Sequence, residues 1–302
     1  MTDCGAARES CCASLEVPGG TFYRTYSFAG VTAKGEGDPA TVSTFRLDKY
    51  VVTVGRFRQF VSAWNDGYTP AAGSGKHTHL NGGRGLVNGA AEPDGGGAVS
   101  YEEGWLAADD DEVMPMNLQL GDRCGSSSTW THFAGGHENL PINCVNGQEA
   151  YAFCIWDGGF LPSAAEWEYA AAGGSQQRKY PWGAADPGTH GEYAIYDCNY
   201  GRSGTKDCNG VASLAPVGTA TRGVGRWGQL DLTGNVAQWN LDMGAESFVN
   251  PCIDCANLPE GRVAGANRMA RGSAFDSPSP TMYMYLPPSR SGVTGFRCAR
   301  VP

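Results

Sequence analysis

The sequence predicts one α+β domain with little regular secondary structure, and three observations lead there. Glycine supplies 44 of the 302 residues, about twice the usual ~7% share, with no Gly-X-Y period, so tight turns and long loops must make up much of the chain. Alternating segments near the N-terminus read as strands, and two capping boxes open short apolar helices in the middle. Repeats of 20–50 residues, the mark of solenoids and propellers, are absent.

Residues 1–14 hold three cysteines among small polar residues and read as a tail or stalk, with a single domain over 15–302. "TFYRTYSF" (Thr21–Phe28) and "TVSTFRLDKYVVT" (Thr41–Thr53) alternate as strands do. Thr53 can cap a helix whose apolar stripe is Val54, Phe57, Phe60, Val61 and Trp64. Residues 66–140 carry many Gly, Asn, Asp and Ser, and are expected to be long loops with little to bury. Asn146 with Glu149 forms a capping box for "GQEAYAFCIW", which stops at Gly158-Gly159. Ser163 with Glu166 forms another for "AAEWEYAAA", which stops at Gly173-Gly174. After Pro181 the chain returns to turns, with strand-like pieces such as "ASLAPVG" and "GFRCARV".

A net charge of -9 argues against nucleic acid or an anionic membrane as partner, since both require a basic face. No apolar run approaches the ~20 residues that span a bilayer. Eleven cysteines exceed what a cytosolic enzyme carries, and Cys252-Ile-Asp-Cys255 is a lone CxxC without the second pair a zinc site needs. Disulfides and an oxidising, extracytoplasmic compartment are the expectation, free thiols the alternative. Met1-Thr-Asp-Cys4 opens the chain with no leader, so a removed leader is expected. An odd cysteine total leaves one unpaired or paired between chains.

Seven phrases occur in an order that resembles the formylglycine-generating-enzyme (sulfatase-modifying factor) family: "VPGGTFYR", "FRLDKYVVTVGRFRQFV", "LPINCVNGQEAYAFCIWDGGFLPSAAEWEYAAAGG", "YPWG", "LDLTGNVAQWNLD", "ARGSAFDS" and "GFRCAR". They cover nearly all of 15–302. The resemblance implies a C-type-lectin-like fold of the formylglycine-generating-enzyme type. It also implies a disulfide between Cys154 and Cys298, a loop long enough for a closure worth about 5 kcal/mol in the chain-entropy model. A second family disulfide would start at Ala171 and end after "ARGS", and both ends are missing here. Cys198 with Cys208 would staple a glycine-rich loop, and Cys252 with Cys255 a small ring.

The family oxidises a substrate cysteine using oxygen and copper held by two cysteines after "RGGS", a task for soft thiolates. The matching stretch here, Asp276–Thr294, holds neither Cys nor His. Met282 and Met284 alternate there on an expected strand and suit packing better than ligation. Copper and iron are therefore not expected as cofactors, nor is formylglycine generation. Gly147 and Ala237 stand where family members carry Trp, Gln238 where they carry Glu, and Ser273-Ala274 where they carry Gly-Ser. Losing two indoles removes on the order of 150–250 Å² of contact surface apiece. Unless neighbours collapse inward, the cleft should be wider than the oxidase's, lined by Gly147, Ala237, Trp239, Ser273, Tyr283, Tyr285 and Arg290.

The family also implies a structural calcium, here on the side chains of Asp231 and Gln238 with the carbonyls of Gly234 and Val236; a second, near Asp197 and Asn199, falls in a rebuilt loop. His77 and His79 share one face of an expected strand, and with His132 and His137 could hold a metal, although loop histidines are usually just solvated. "DDDE" (Asp109–Glu112) reads as a solvated acidic turn. These features together predict a non-catalytic, extracytoplasmic module binding a small molecule, peptide or carbohydrate. The alternatives are a diverged metal- and oxygen-dependent oxidoreductase, or a diversity-generating variable binding protein.

Overall fold

The computed structural model describes residues 2–30, 32–89, 99–201, 208, 210–244, 248–258, 268–282, 284–285 and 290–302. Helix α1 (Val54–Asn65) begins at Thr53, whose side chain accepts from the Arg56 N–H, and buries Val54, Phe57, Phe60 and Val61 as its periodicity requires. A one-turn helix, α2, covers Asn117–Leu120. Both expected capping boxes form: Asn146 and Glu149 open α3 (Gly147–Trp156), and Ser163 and Glu166 open α4 (Ala164–Ala172). Gly173 ends α4 at φ 66°, the left-handed conformation that glycine adopts without steric cost.

Strands Gly20–Ala29 and Thr32–Val42 form a long antiparallel hairpin, joined in parallel by Cys252–Ile253. A second sheet pairs Phe45–Asp48 with Ser14–Val17 and Ala299–Arg300, tying the two ends of the chain together. The third runs Met284–Tyr285, Arg268–Arg271, Ala237–Met243, Thr294–Gly295. Its strand Ala237–Met243 is buried at every residue, with Trp239 and Leu241 on the core that α1 and α3 share. The expected "ASLAPVG" strand is instead a 3₁₀ turn over Gly210–Ser213 followed by extended chain and turn. "GFRCARV" breaks into two short strands because Arg297 turns inward between them.

Two expectations need correction. The N-terminal residues are not a stalk: Thr2–Cys4 pairs with Glu9–Ser10, and Cys4 and Cys11 form a buried disulfide against Tyr50 and Leu214. The Gly5 N–H donates to the Val217 carbonyl at 3.2 Å, and the Tyr50 hydroxyl to Glu9 at 2.5 Å, so the segment plugs one end of the fold. The stretch 66–140 is irregular as expected, but it buries Leu80, Leu86, Trp105, Val113, Leu120 and Trp130 in the main core. Apolar residues spread too thinly for periodicity still reach one core when the loop wraps it. Asp109–Glu112 is no free acidic turn either, since Asp109 caps the Leu106 N–H and Asp110 accepts from the Trp105 indole at 2.8 Å.

All ten paired cysteines lie in described residues: Cys154–Cys298, Cys198–Cys208 and Cys252–Cys255 as anticipated, with Cys4–Cys11 and Cys124–Cys144 in addition. The eleventh, Cys12, is exposed and free. Among the described residues no helix is long and apolar enough to cross a membrane.

Candidate ligand-binding site

Of the residues expected to line a widened cleft, Gly147, Ala237, Trp239 and Ser273 are buried. Gly147 opens α3, and a Cβ built there would lie 2.6 Å from Cδ of Arg268. Arg268 thus takes the space an indole would fill. Its guanidinium lies 5.1 Å from the Tyr151 ring centroid and donates to the Leu241 carbonyl. Trp239 is buried and donates its indole N–H to the Val145 carbonyl at 3.0 Å. Ala237 is buried in the strand ladder opposite Thr294, and Ser273 is buried with its hydroxyl 2.8 Å from that of Thr233. Over Gly147 a neighbour thus fills the space, the condition under which the cleft does not widen there.

Arg290 meets α3 at its N-terminus. Its guanidinium makes a two-pronged pair with Glu149, at 2.6 Å and 2.5 Å, and donates to the Cys144 carbonyl at 3.0 Å. Glu149 also accepts the Asn146 and Met114 N–H groups. Burial pushes its carboxyl above the usual range, while Arg290 and the two N–H groups pull it back. Arg290 is therefore a clamp that holds the C-terminal segment to α3 rather than a free guanidinium. Tyr283 and the side chain of Tyr285 lie outside the described residues, as does the side chain of Met284, while Met282 packs half-buried against the hairpin core.

Of the four expected calcium ligands, the two side chains already accept hydrogen bonds. The Asp231 carboxylate is buried and accepts the Gly218 N–H at 2.6 Å. The Gln238 oxygen already accepts two bonds, from the Trp167 indole at 2.8 Å and from Nε of Arg297 at 2.7 Å. The remaining Arg297 N–H groups go to the carbonyls of Asp48, Lys49, Leu230 and Asp231. A fully bonded guanidinium thus supplies the positive charge beside Gln238, and burial lowers it to about 10. A hard cation would have to compete with these donors for the Gln238 oxygen and for one Asp231 oxygen. Nor does Asn199 offer a free oxygen, since it accepts the Tyr196 N–H at 3.2 Å.

His77 has a role that its sequence position did not reveal. It is fully buried between two carboxylates, with Nδ1 3.0 Å from Glu102 and Nε2 3.0 Å from Glu166. Burial opposes the charge, but Glu102 and Glu166 outweigh it and hold the imidazole up to about 10. Glu166 is held below the usual carboxylate range: burial works against this, and the His77 charge overcomes it. Because Glu166 is also the capping residue of α4, this imidazolium fastens the 66–140 wrap to that helix. Both His77 nitrogens are thereby taken. His79 stacks on Phe160, 5.8 Å between centroids, and His137 is bonded to the Thr129 carbonyl at 2.9 Å. Among the described residues the histidines form no group able to share an ion. The one acidic and sulfur cluster close enough, Asp48, Asp157 and Cys298, consists of a disulfide sulfur and two arginine-paired carboxylates.

A profile of the sulfatase-modifying factor enzyme 1-like domain (FGE-sulfatase) matches residues 3–302. The chain belongs to this family. It is 31% identical over 300 residues to the formylglycine-generating enzyme of Streptomyces coelicolor, covering 94% of this chain and 88% of that protein. It is 34% identical over 161 residues to the mouse inactive C-alpha-formylglycine-generating enzyme 2, covering 53% of this chain and 49% of that protein. Among solved structures, PvdO from Pseudomonas aeruginosa superposes with a TM-score of 0.54 at 20% identity, covering 96% of this chain and 94% of that one. Variable protein 1 of Treponema denticola superposes with a TM-score of 0.51 at 17% identity, covering 96% and 95%. The fold is thus the C-type-lectin-like fold of the formylglycine-generating-enzyme type that the ordered phrases imply.

The sequence reading also missed a recess on the other side of the sheet, between the start of α4 and the long hairpin. It is lined by Arg24, Ala164, Asp242, Phe248, Met269 and Arg271, among others. One signal could have found it. Arg268 and Arg271 are three apart on one short strand, so they point to opposite faces, and only one of them can fill the space over Gly147.

Proposed function

We propose that this FGE-sulfatase domain is a ligand- or protein-binding module of an extracytoplasmic compartment that does not generate formylglycine. The carrying observation is the state of the sulfur: ten cysteines are locked in five disulfides, and the eleventh, Cys12, is exposed in the N-terminal plug. Copper-dependent oxidation of the family's kind needs two thiolates beside the substrate, and the segment 276–294 contributes none. Five disulfides favour an oxidising compartment. The half-length likeness to a relative named inactive, and the fold shared with a variable protein, are compatible with this use of the frame.

The test is conversion of a sulfatase-derived cysteine peptide by the protein after copper loading. The expected product is unchanged thiol, and aldehyde formation would overturn the reading. A thermal-shift screen with small molecules, peptides and oligosaccharides addresses the binding half. A stabilising compound supports it, and silence throughout the screen reduces the domain to a scaffold.

A further inference from the structure

We propose that an aromatic and cationic face, built from residues 173–193 and 222–227 beside the long hairpin, binds an acidic polysaccharide. Tyr180 and Trp182 stack nearly parallel, 4.9 Å between centroids at 11°, and Tyr193 lies 5.3 Å beyond Trp182. Trp227 stacks on Tyr169 at 5.4 Å and 17°. Tyr180, Trp182, Tyr193 and Trp227 are all half-buried, so each still reaches solvent. Cations border the rings: Lys179 is 5.2 Å from the Tyr180 centroid, Arg222 5.8 Å from that of Tyr193 and Arg226 5.1 Å from that of Trp227.

Hydrogen bonds join these pieces into one surface. Arg178 donates to the Pro181 carbonyl at 2.8 Å, between Tyr180 and Trp182, and its own carbonyl accepts the Tyr26 hydroxyl of the hairpin at 3.1 Å. Arg226 donates to the Gly173 carbonyl at 2.8 Å, and the Arg222 N–H to the Glu192 carbonyl at 3.0 Å. Arg178 and Arg226 are close enough to feel each other: burial, aided by the Arg226 charge, lowers Arg178.

Charge selects the class of partner. The chain carries -9 overall. Yet among the described residues one carboxylate, Glu192 at 3.3 Å from Arg222, is within ion-pair distance of the four cations Arg178, Lys179, Arg222 and Arg226. Such a local reversal on an acidic protein gathers anions at that face. The rings indicate what carries the anion. A pyranose lays a face of C–H groups flat on an aromatic ring, and its carboxylate or sulfate pairs with a guanidinium or ammonium alongside. The Tyr180 and Tyr193 hydroxyls have no hydrogen-bond partner among the described residues, which leaves them for sugar hydroxyls. The oxidising compartment that five disulfides favour is one where acidic glycans are met. This face rests on the binding-module reading and names its partner class.

Isothermal titration of the full chain with oligogalacturonate and with sulfated dextran, beside methyl-esterified oligogalacturonate and plain dextran, tests the face. The acidic sugars are expected to bind, less tightly as salt rises from about 50 to about 300 mM, and the neutral twins not. Lys179→Glu combined with Arg222→Glu, both exposed side chains, should weaken binding by roughly tenfold or more while keeping the wild-type circular dichroism. Trp182→Ala should do the same, and the charge reversal decides alone if that variant fails to fold. A response to oligogalacturonate alone assigns the face to uronates, and one to sulfated dextran alone assigns it to sulfated sugars. Binding of neither, equal binding of the neutral twins, equal binding of oligothymidylate or polyglutamate, or indifference to the charge reversal would overturn the proposal. The wider reading fails separately, when the thermal-shift screen finds no binder of any class.

Discussion

Replacing His77 by Gln probes the joint between the wrapped loop and α4. In the native protein a charged imidazole lies buried between Glu102 and Glu166. Its rise from 6.5 to about 10 corresponds to roughly 4–5 kcal/mol at ~1.4 kcal/mol per unit. Breaking a buried ion pair by removing one partner costs about 3–5 kcal/mol, a separate route to the same size. The sign is fixed by the direction of the shift. A group whose folded value lies above its unfolded one contributes fully below the unfolded value, and the contribution is lost as pH rises through the folded value. Wild-type stability should therefore fall between about pH 6.5 and 10, by up to ~1.4 kcal/mol per pH unit from this group. Urea unfolding of both proteins, with Cys12 alkylated and the disulfides intact, should show a gap of roughly 3–5 kcal/mol at pH 6 that closes toward pH 10. A gap that stays constant with pH, or one below about 1 kcal/mol at pH 6, would refute a charged His77.

Three further outcomes follow from the same geometry. Chelation of calcium should leave the melting temperature where it was, because Arg297 and the Gly218 N–H already occupy the Gln238 oxygen and one Asp231 carboxyl oxygen; a fall reversed by added calcium would contradict this. Gly147→Trp, which restores the family's residue, should destabilise by about 1–3 kcal/mol or more through overlap with Arg268; a stabilised variant would mean that Arg268 swings aside and a cleft opens. Deleting residues 1–12 should lower stability by roughly 3 kcal/mol through re-exposure of Tyr50 and its neighbours, whereas an unchanged melting curve would return the segment to the status of a tail.

Much of the frame was legible from local signals. Capping boxes at Asn146 and Ser163 and the stripe of α1 are decided within one or two helical turns, and the structure keeps them. The Cys154–Cys298 bridge followed from a family phrase, since a separation of 144 residues carries no local signature. The site was less legible because its outcome depends on which neighbour moves into a vacated volume. The family resemblance implies indoles at Gly147 and Ala237, but only three-dimensional packing shows Arg268 filling the first space. His77 and Glu102 are 25 residues apart and Glu166 another 64 along, so their meeting is a property of how the loop wraps. The N-terminal plug was hidden for a similar reason: small polar residues around Cys4 and Cys11 look like a linker until the disulfide turns them into a buried corner.

The most direct measurement of the central claim is a count of alkylatable thiols by intact mass, on protein denatured without reductant. One modified cysteine per chain is predicted, at Cys12. Three or more would mean that thiolates are available for metal chemistry, and would contradict a domain whose sulfur serves only to hold its shape.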